Sequence, residues 1–172
     1  MSTPPVRIVQ LDAATIGALA DGDLDRARRT SPVALTAWLA GPDCVRTWRY
    51  RATQVVDAPQ DLDWITGVLW ADDAGVAVGK AGFHAAPDAD GMVEIGYAVD
   101  PDHRRRGYAR AALEAMLARA RREPDVHVLR ATVSPTNEAS LALIGQYPFV
   151  EVGEQWDDED GLETIYEISV GP

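Results

Sequence analysis

Between Met92 and Arg122 the sequence passes from a strand, through a turn crowded with arginine, into a helix. Met92-Val93-Glu94-Ile95-Gly96-Tyr97-Ala98-Val99 reads as the strand, and Asp100-Pro101-Asp102 closes it. From about Gly107 to Arg122, Leu113, Met116, Leu117 and Ala120 fall at i, i+3, i+4 and i+7, the spacing of one buried helical face. A turn of this kind aims successive backbone N–H groups at one point and adds the positive end of the helix dipole, which together make an anion site. The small residues Gly107 and Ala109 leave room for a phosphate to reach the main chain. Other phosphate motifs are absent: no glycine loop ends in Gly-Lys-Ser/Thr, and no three-glycine fingerprint follows an early strand.

Charge sharpens this reading. The chain carries a formal charge of −11, a field that repels nucleic acid and favours cationic partners. On that acidic background Arg104, Arg105, Arg106 and Arg110 form a cationic island. The opposite cluster, Asp157-Asp158-Glu159-Asp160, reads as a solvated hairpin turn. With 172 residues, 47% of them hydrophobic, the expectation is a single domain over 1–172. The one cysteine, Cys44, rules out an intrachain disulfide framework, and neither a secretory leader nor an apolar run of roughly 18 residues is seen. A soluble cytoplasmic protein is expected. No His, Cys and carboxylate cluster has metal-ligand spacing, so no metal is expected; His103 and His127 read as incidental.

Along the chain, Val6–Leu11 is a first strand, and helices occupy much of 13–57, broken at Pro32, Gly41 and Pro42. Asp43 is placed to cap the last of them, with Val45, Trp48, Ala52, Val55 and Val56 at helical spacing. Ile65–Ala71 and Val76–His84 form a hairpin about the Asp72–Gly75 turn. Gly96 inside the following strand marks a bulge or a place of close approach. Val126–Val133 is a strand, Asn137 to about Gly145 a short helix, and Phe149–Trp156 with Thr164–Val170 a terminal hairpin.

Arg104-x-x-Gly107-x-Ala109 after a strand resembles the Arg/Gln-x-x-Gly-x-Gly/Ala pattern of the GNAT acetyltransferase superfamily. Asn137-Glu138-Ala139-Ser140 with Phe149, and Glu94-Ile95-Gly96-Tyr97, are similar to segments of its ribosomal-protein N-terminal acetyltransferase branch. The resemblance implies an α/β (α+β) fold in which a mixed, mostly antiparallel sheet of about seven strands, splayed in the middle, is flanked by about four or five helices. It implies an acceptor-side helical segment near 13–64 and an acetyl-CoA-binding core near 92–150. Arg104, Arg105, Arg106, Gly107, Tyr108 and Ala109 would hold the pyrophosphate. Tyr97, Ala98 and Val99 would pair with the pantetheine arm, which Asn137 would also bind. Asn137 fits a helix N-cap equally well. Two positions depart from the family: Ile144 stands where many members have a tyrosine acid, and Pro148-Phe149 replaces Gly-Phe.

The function implied is acetyl transfer from acetyl-CoA, by direct attack, to a primary amine: a protein N-terminus or a small molecule. An alkylamine near pKa 10 is mostly protonated at neutral pH, so a base is needed. Glu94, on the strand face opposite Val93 and Ile95, is the candidate, with a structural carboxylate as the alternative. Ser140 is the candidate donor to the leaving thiolate. His84 reads as a surface histidine or as a residue lining the acceptor site. Trp38, Trp48 and Trp64 read as core or as a wall for a cation. The missing tyrosine keeps open a non-catalytic acyl-CoA-binding sensor or scaffold. A homodimer through the terminal strands is a further expectation.

Overall fold

The computed structural model describes residues 3–158 and 161–171. They form two compact units: the chain up to Ala86 with Gly96–Ala115, and Pro87–Ile95 with the chain from Met116 onward. Seven strands, β1 (Val6–Val9), β2 (Gly67–Ala71), β3 (Val76–Phe83), β4 (Met92–Val99), β5 (Val128–Val133), β6 (Val150–Asp157) and β7 (Gly161–Ser169), lie in the order β1-β2-β3-β4-β5-β7-β6. The α-helices among the described residues are α1 (Ala13–Ala20), α2 (Leu24–Thr30), α3 (Pro42–Asp57), α4 (Tyr108–Ala120) and α5 (Glu138–Ile144). This is the mixed, largely antiparallel α/β arrangement expected: β4 and β5 run parallel, while β1–β2, β2–β3, β5–β7 and β6–β7 are antiparallel.

In the first unit the helices start where short acceptors satisfy their free amides. Asp12 accepts from Thr15 N at 2.7 Å to open α1, and Asp23 from Arg26 N at 2.9 Å to open α2. For α3 the expected cap is corrected. Gly41 is the N-cap, Pro42 takes the first helical position, and Asp43 lies one step inside, where its carboxylate meets the positive end of the dipole. The buried face of α3 is Cys44, Trp48 and Arg51, whereas Val56 is 78% exposed and outside the apolar stripe. Trp48 is a core residue, fully buried with Nε1 donating to Leu39 O at 2.7 Å. Ile16, Leu19, Leu39, Ile65 and Val68 complete that core. Trp38 packs half-buried against it, and Trp64 meets Phe83 edge-on. The β2–β3 hairpin turns at Gly75, whose φ of 61° an L side chain rarely adopts.

In the second unit β5 is the central strand, its inward residues Leu129, Ala131 and Val133 alternating with half-buried ones. Asn137 caps α5, its side chain accepting from Ser140 N at 3.1 Å. The β6–β7 hairpin ends the fold; of its acidic turn, Glu159 and Asp160 lie outside the described residues. No helix among the described residues is long and apolar enough to cross a membrane.

Candidate active site

The loop joining β4 to α4 is fixed by its own polar groups. Asp100, 7% exposed, accepts from Asp102 N at 3.1 Å, and its carbonyl accepts from His103 N at 2.8 Å. Arg104 turns its Nε back to the carbonyl of Val99 at 3.1 Å, stitching the loop to the end of the strand. Asp100 N in turn donates to Val78 O on β3 at 3.0 Å. Two residues apart, Arg105 (φ 60°) and Gly107 (φ 86°) both adopt left-handed backbone, and Arg105 is the only non-glycine residue to do so among those described. A non-glycine residue in this region is strained by about 1–3 kcal/mol, and such strain concentrates at ligand clamps.

The first backbone bond of α4 runs from Ala111 N to Gly107 O at 3.0 Å. The amides of Tyr108, Ala109 and Arg110 therefore precede the helical ladder and, by helix geometry, have no intrahelical acceptor. Arg104, Arg105 and Arg106 are exposed beside them, and Tyr108 is buried with its ring edge-on to His103. Alternating left-handed residues at a helix N-terminus, flanked by guanidinium groups, suit a phosphate.

The strand leading into this loop is shaped for close approach. The Ala98 carbonyl oxygen occupies the space that a side chain on Gly79 of β3 would need. Ala98 thus directs its carbonyl toward β3, while the Val99 carbonyl is taken by Arg104. Gly96 makes no bulge through a left-handed φ. It admits the imidazole of His84, whose Nε2 would stand 2.9 Å from a Cβ at this position.

The remaining named residues fall in the second unit. Glu94 is half-buried, and its Oε1 accepts from the Thr132 hydroxyl at 2.6 Å. Ser140 is half-buried in the first turn of α5. Asn137 is exposed and uses Oδ1 for the cap, leaving its amide NH2 to face outward partners. Ile144, at the position of the missing tyrosine, is 3% exposed and belongs to the apolar core.

Three polar groups that sequence reasoning passed over are buried in the first unit. Arg51 is 5% exposed and bonds Thr66, Gln54 and the His84 carbonyl. Its one sequence signal is an arginine three residues after Trp48 on the apolar face of α3. Asp61 is 7% exposed. Lys80 on β3 is 8% exposed, with Nζ bonded to Thr47 Oγ1. Burial holds the Lys80 ammonium below its usual pKa, and burial pushes the Cys44 thiol up to about 11. No group of three or more metal-ligating side chains is assembled among the described residues.

Residues 11–150 match the family described as the acetyltransferase (GNAT) domain. The chain belongs to the GNAT acetyltransferase family. It is 29% identical over 165 residues to the L-2,4-diaminobutyric acid acetyltransferase of Streptomyces coelicolor, covering 90% of this chain and 87% of that one. Among solved structures, the ribosomal-protein-S5-alanine acetyltransferase of Vibrio fischeri superposes with a TM-score of 0.62 at 14% identity, over 99% and 94% of the two chains. The microcin C7 self-immunity acetyltransferase MccE, solved with acetyl-CoA and AMP, superposes with a TM-score of 0.63 at 11% identity, over 96% and 92%. These two likenesses are of fold. As a GNAT protein the chain carries an acetyltransferase domain, and the loop at Arg104–Ala109 is where its sequence and backbone both depart from ordinary strand-to-helix turns.

Proposed function

We propose that this GNAT protein moves an acetyl group from acetyl-CoA to a primary amine, and that residues 1–172 act as one catalytic domain, since the family match crosses both compact units. The observation that carries the reading is the β4–α4 loop, with Arg105 and Gly107 left-handed ahead of the first turn of α4 and three exposed arginines around it. In it the amides from Arg105 to Ala109 hold the pyrophosphate. Arg106 adds charge, and Arg104 both adds charge and locks the loop to Val99. The main chain of Tyr97 meets the pantetheine arm, with Ala98 and Val99 beside it. Asn137 contributes its NH2 group.

Glu94 draws the ammonium of the acceptor and, directly or through water, its proton; the Thr132 hydroxyl holds its Oε1 in place. Ser140 donates to the departing thiolate. The acidic net charge favours a cationic acceptor, and the acceptor class includes small diamines of the kind named for the Streptomyces relative as well as protein N-termini. The protein acts in the cytoplasm and pairs as a homodimer through the β6–β7 hairpin, where Val150, Val152, Trp156 and Leu162 are exposed. Sedimentation at tens of micromolar checks the pairing.

The buried Ile144 favours a second reading, an acyl-CoA sensor without turnover. One assay separates the two: thiol release from acetyl-CoA with 2,4-diaminobutyrate, polyamines and alanine-starting peptides. Amine-dependent release supports the enzyme. Binding of acetyl-CoA with no release by any amine supports the sensor.

A further inference from the structure

β3 ends at Phe83, and the chain then bends through His84-Ala85-Ala86 under a dense set of side-chain bonds. The His84 carbonyl accepts from Arg51 Nη1 at 2.9 Å and from Gln54 Nε2 at 2.7 Å. Gln54 Nε2 also donates to Asp61 Oδ2 at 2.7 Å, and Asp61 Oδ1 accepts from Ala86 N at 3.1 Å. Arg51 is held in its turn by Thr66 Oγ1 at 3.1 Å and Gln54 Oε1 at 2.7 Å. A buried arginine and a buried carboxylate are strongly penalised unless paired and hydrogen-bonded. Here both are engaged in holding three residues of backbone still.

The side chain that this bend positions is an exposed imidazole with one edge seated against β4. A Cβ on Gly96 would lie 2.9 Å from His84 Nε2 and 3.5 Å from Cδ2, so a side chain there would push the ring from its seat. Glycine weakens a strand interior, and this contact explains its presence there. Glu94 precedes Gly96 by two residues in the same strand.

We propose that His84 is the group through which the acceptor's proton leaves for solvent, an inference that rests on the transferase reading above. The acceptor arrives as an ammonium. One N–H bond breaks, its proton, first drawn off by Glu94, is handed on through water to the imidazole, and its electron pair forms the new N–C bond to the acetyl carbonyl carbon. The C–S bond then breaks, the Ser140 hydroxyl gives its proton to the CoA thiolate and is reprotonated by the second amine proton, and the imidazolium returns its proton to water. The products are the amide, CoA thiol and one proton, with no other reactant. An imidazole, ordinarily near pKa 6.5, takes and releases protons close to neutrality far more readily than a lone carboxylate. The charged groups bonded to the bend are Arg51 from α3 and Asp61 from the turn at 59–61.

The test uses the full chain and the best amine from the thiol-release assay. His84→Ala is expected to lower turnover at pH 7 by roughly 10²-fold, the scale of a positioned proton-transfer group, and added imidazole buffer is expected to restore a large part of it. Gly96→Ala displaces the ring while leaving the Arg51–Gln54–Asp61 clamp in place. It should lower turnover similarly, and the double variant should be no slower than His84→Ala alone. The rate of His84→Ala should rise more steeply with pH than that of wild type, toward the amine pKa. Wild-type turnover by His84→Ala overturns the inference. So does a loss that imidazole leaves untouched and that adds to the loss from Gly96→Ala, in protein still stabilised by acetyl-CoA. Wild-type protein that binds acetyl-CoA yet releases thiol with no amine refutes the transferase reading itself, and the inference with it.

Discussion

The Thr132 hydroxyl donates to Glu94 Oε1 across 2.6 Å, from β5 to the strand that runs parallel to it. A carboxylate fixed by a hydrogen bond keeps its position, which a general base needs. Glu94→Gln preserves an acceptor for Thr132 and removes only the charge. Turnover at pH 7 should fall by about 10²-fold with acetyl-CoA binding unchanged, and the loss should shrink from pH 6 to pH 9 as more amine is already neutral. Thr132→Val should cost less, since the carboxylate remains. Steady-state rates across that pH range check both, and wild-type rates for Glu94→Gln would remove the base assignment.

Gly107 separates backbone strain from phosphate access. Its φ of 86° disfavours any residue with a Cβ, and a Cβ there would also lie 3.1 Å from Pro4 Cδ. Gly107→Val is therefore expected to be destabilised by about 1–2 kcal/mol as well as to block the ligand. Asn tolerates left-handed backbone better, so Gly107→Asn should stay nearer wild-type stability while its side chain still fills the approach. The measurement is the rise in Tm with acetyl-CoA, expected for wild type and absent for both variants. A wild-type ligand shift in folded Gly107→Asn would show that the pyrophosphate binds elsewhere.

The β4–α4 loop was legible in the sequence because every signal for it is local. Strand, Asp-Pro, arginines and the Gly-x-Ala step lie within about twenty residues, and each acts on its neighbours. The α3 start was misread for a similar local reason: Pro42 read as a break and Asp43 as the cap, although proline is well suited to the first helical position with Gly41 before it. What stayed illegible is the clamp on His84. Arg51, Asp61 and His84 come from a helix, a turn and a strand end, and only tertiary packing gathers them. Gly96 did announce a close approach, yet nothing in one sequence names the ring that fills it.

Asn137 carries two proposed duties that substitution can divide. Its Oδ1 caps α5 by accepting from Ser140 N, and loss of such a cap is destabilising by about 1 kcal/mol. Asn137→Asp keeps the cap and removes the NH2 donor. It should therefore match wild type in thermal unfolding while weakening acetyl-CoA, and Asn137→Ala should lose on both counts. Calorimetry for CoA affinity alongside Tm checks this. Equal affinity for Asn137→Asp and wild type would leave Asn137 as a cap alone.

The last prediction concerns alkaline stability, where two buried neighbours of the first unit act with opposite sign. Lys80 is depressed by burial, so below its unfolded value of 10.5 the unfolded chain holds its proton more tightly than the folded one. Stability from this site therefore rises with pH through the window between the folded pKa and 10.5. Cys44 is the reverse. Its thiol is pushed from 9.0 up to about 11, so its contribution is fully present below pH 9 and is lost as pH climbs toward 11. Replacing each residue isolates its slope. The Tm of Lys80→Met relative to wild type should drop steadily as pH rises, because wild type ceases to bury a charge. The deficit of Cys44→Ala, a small cavity at neutral pH, should instead narrow above pH 9, because wild type then loses what the protonated thiol supplied. Thermal unfolding of the three proteins from pH 7 to 11 checks the signs. Parallel Tm curves for Lys80→Met and wild type would mean that Lys80 titrates alike in the folded and unfolded chains and that the water around its ammonium is not excluded by β3 and α3.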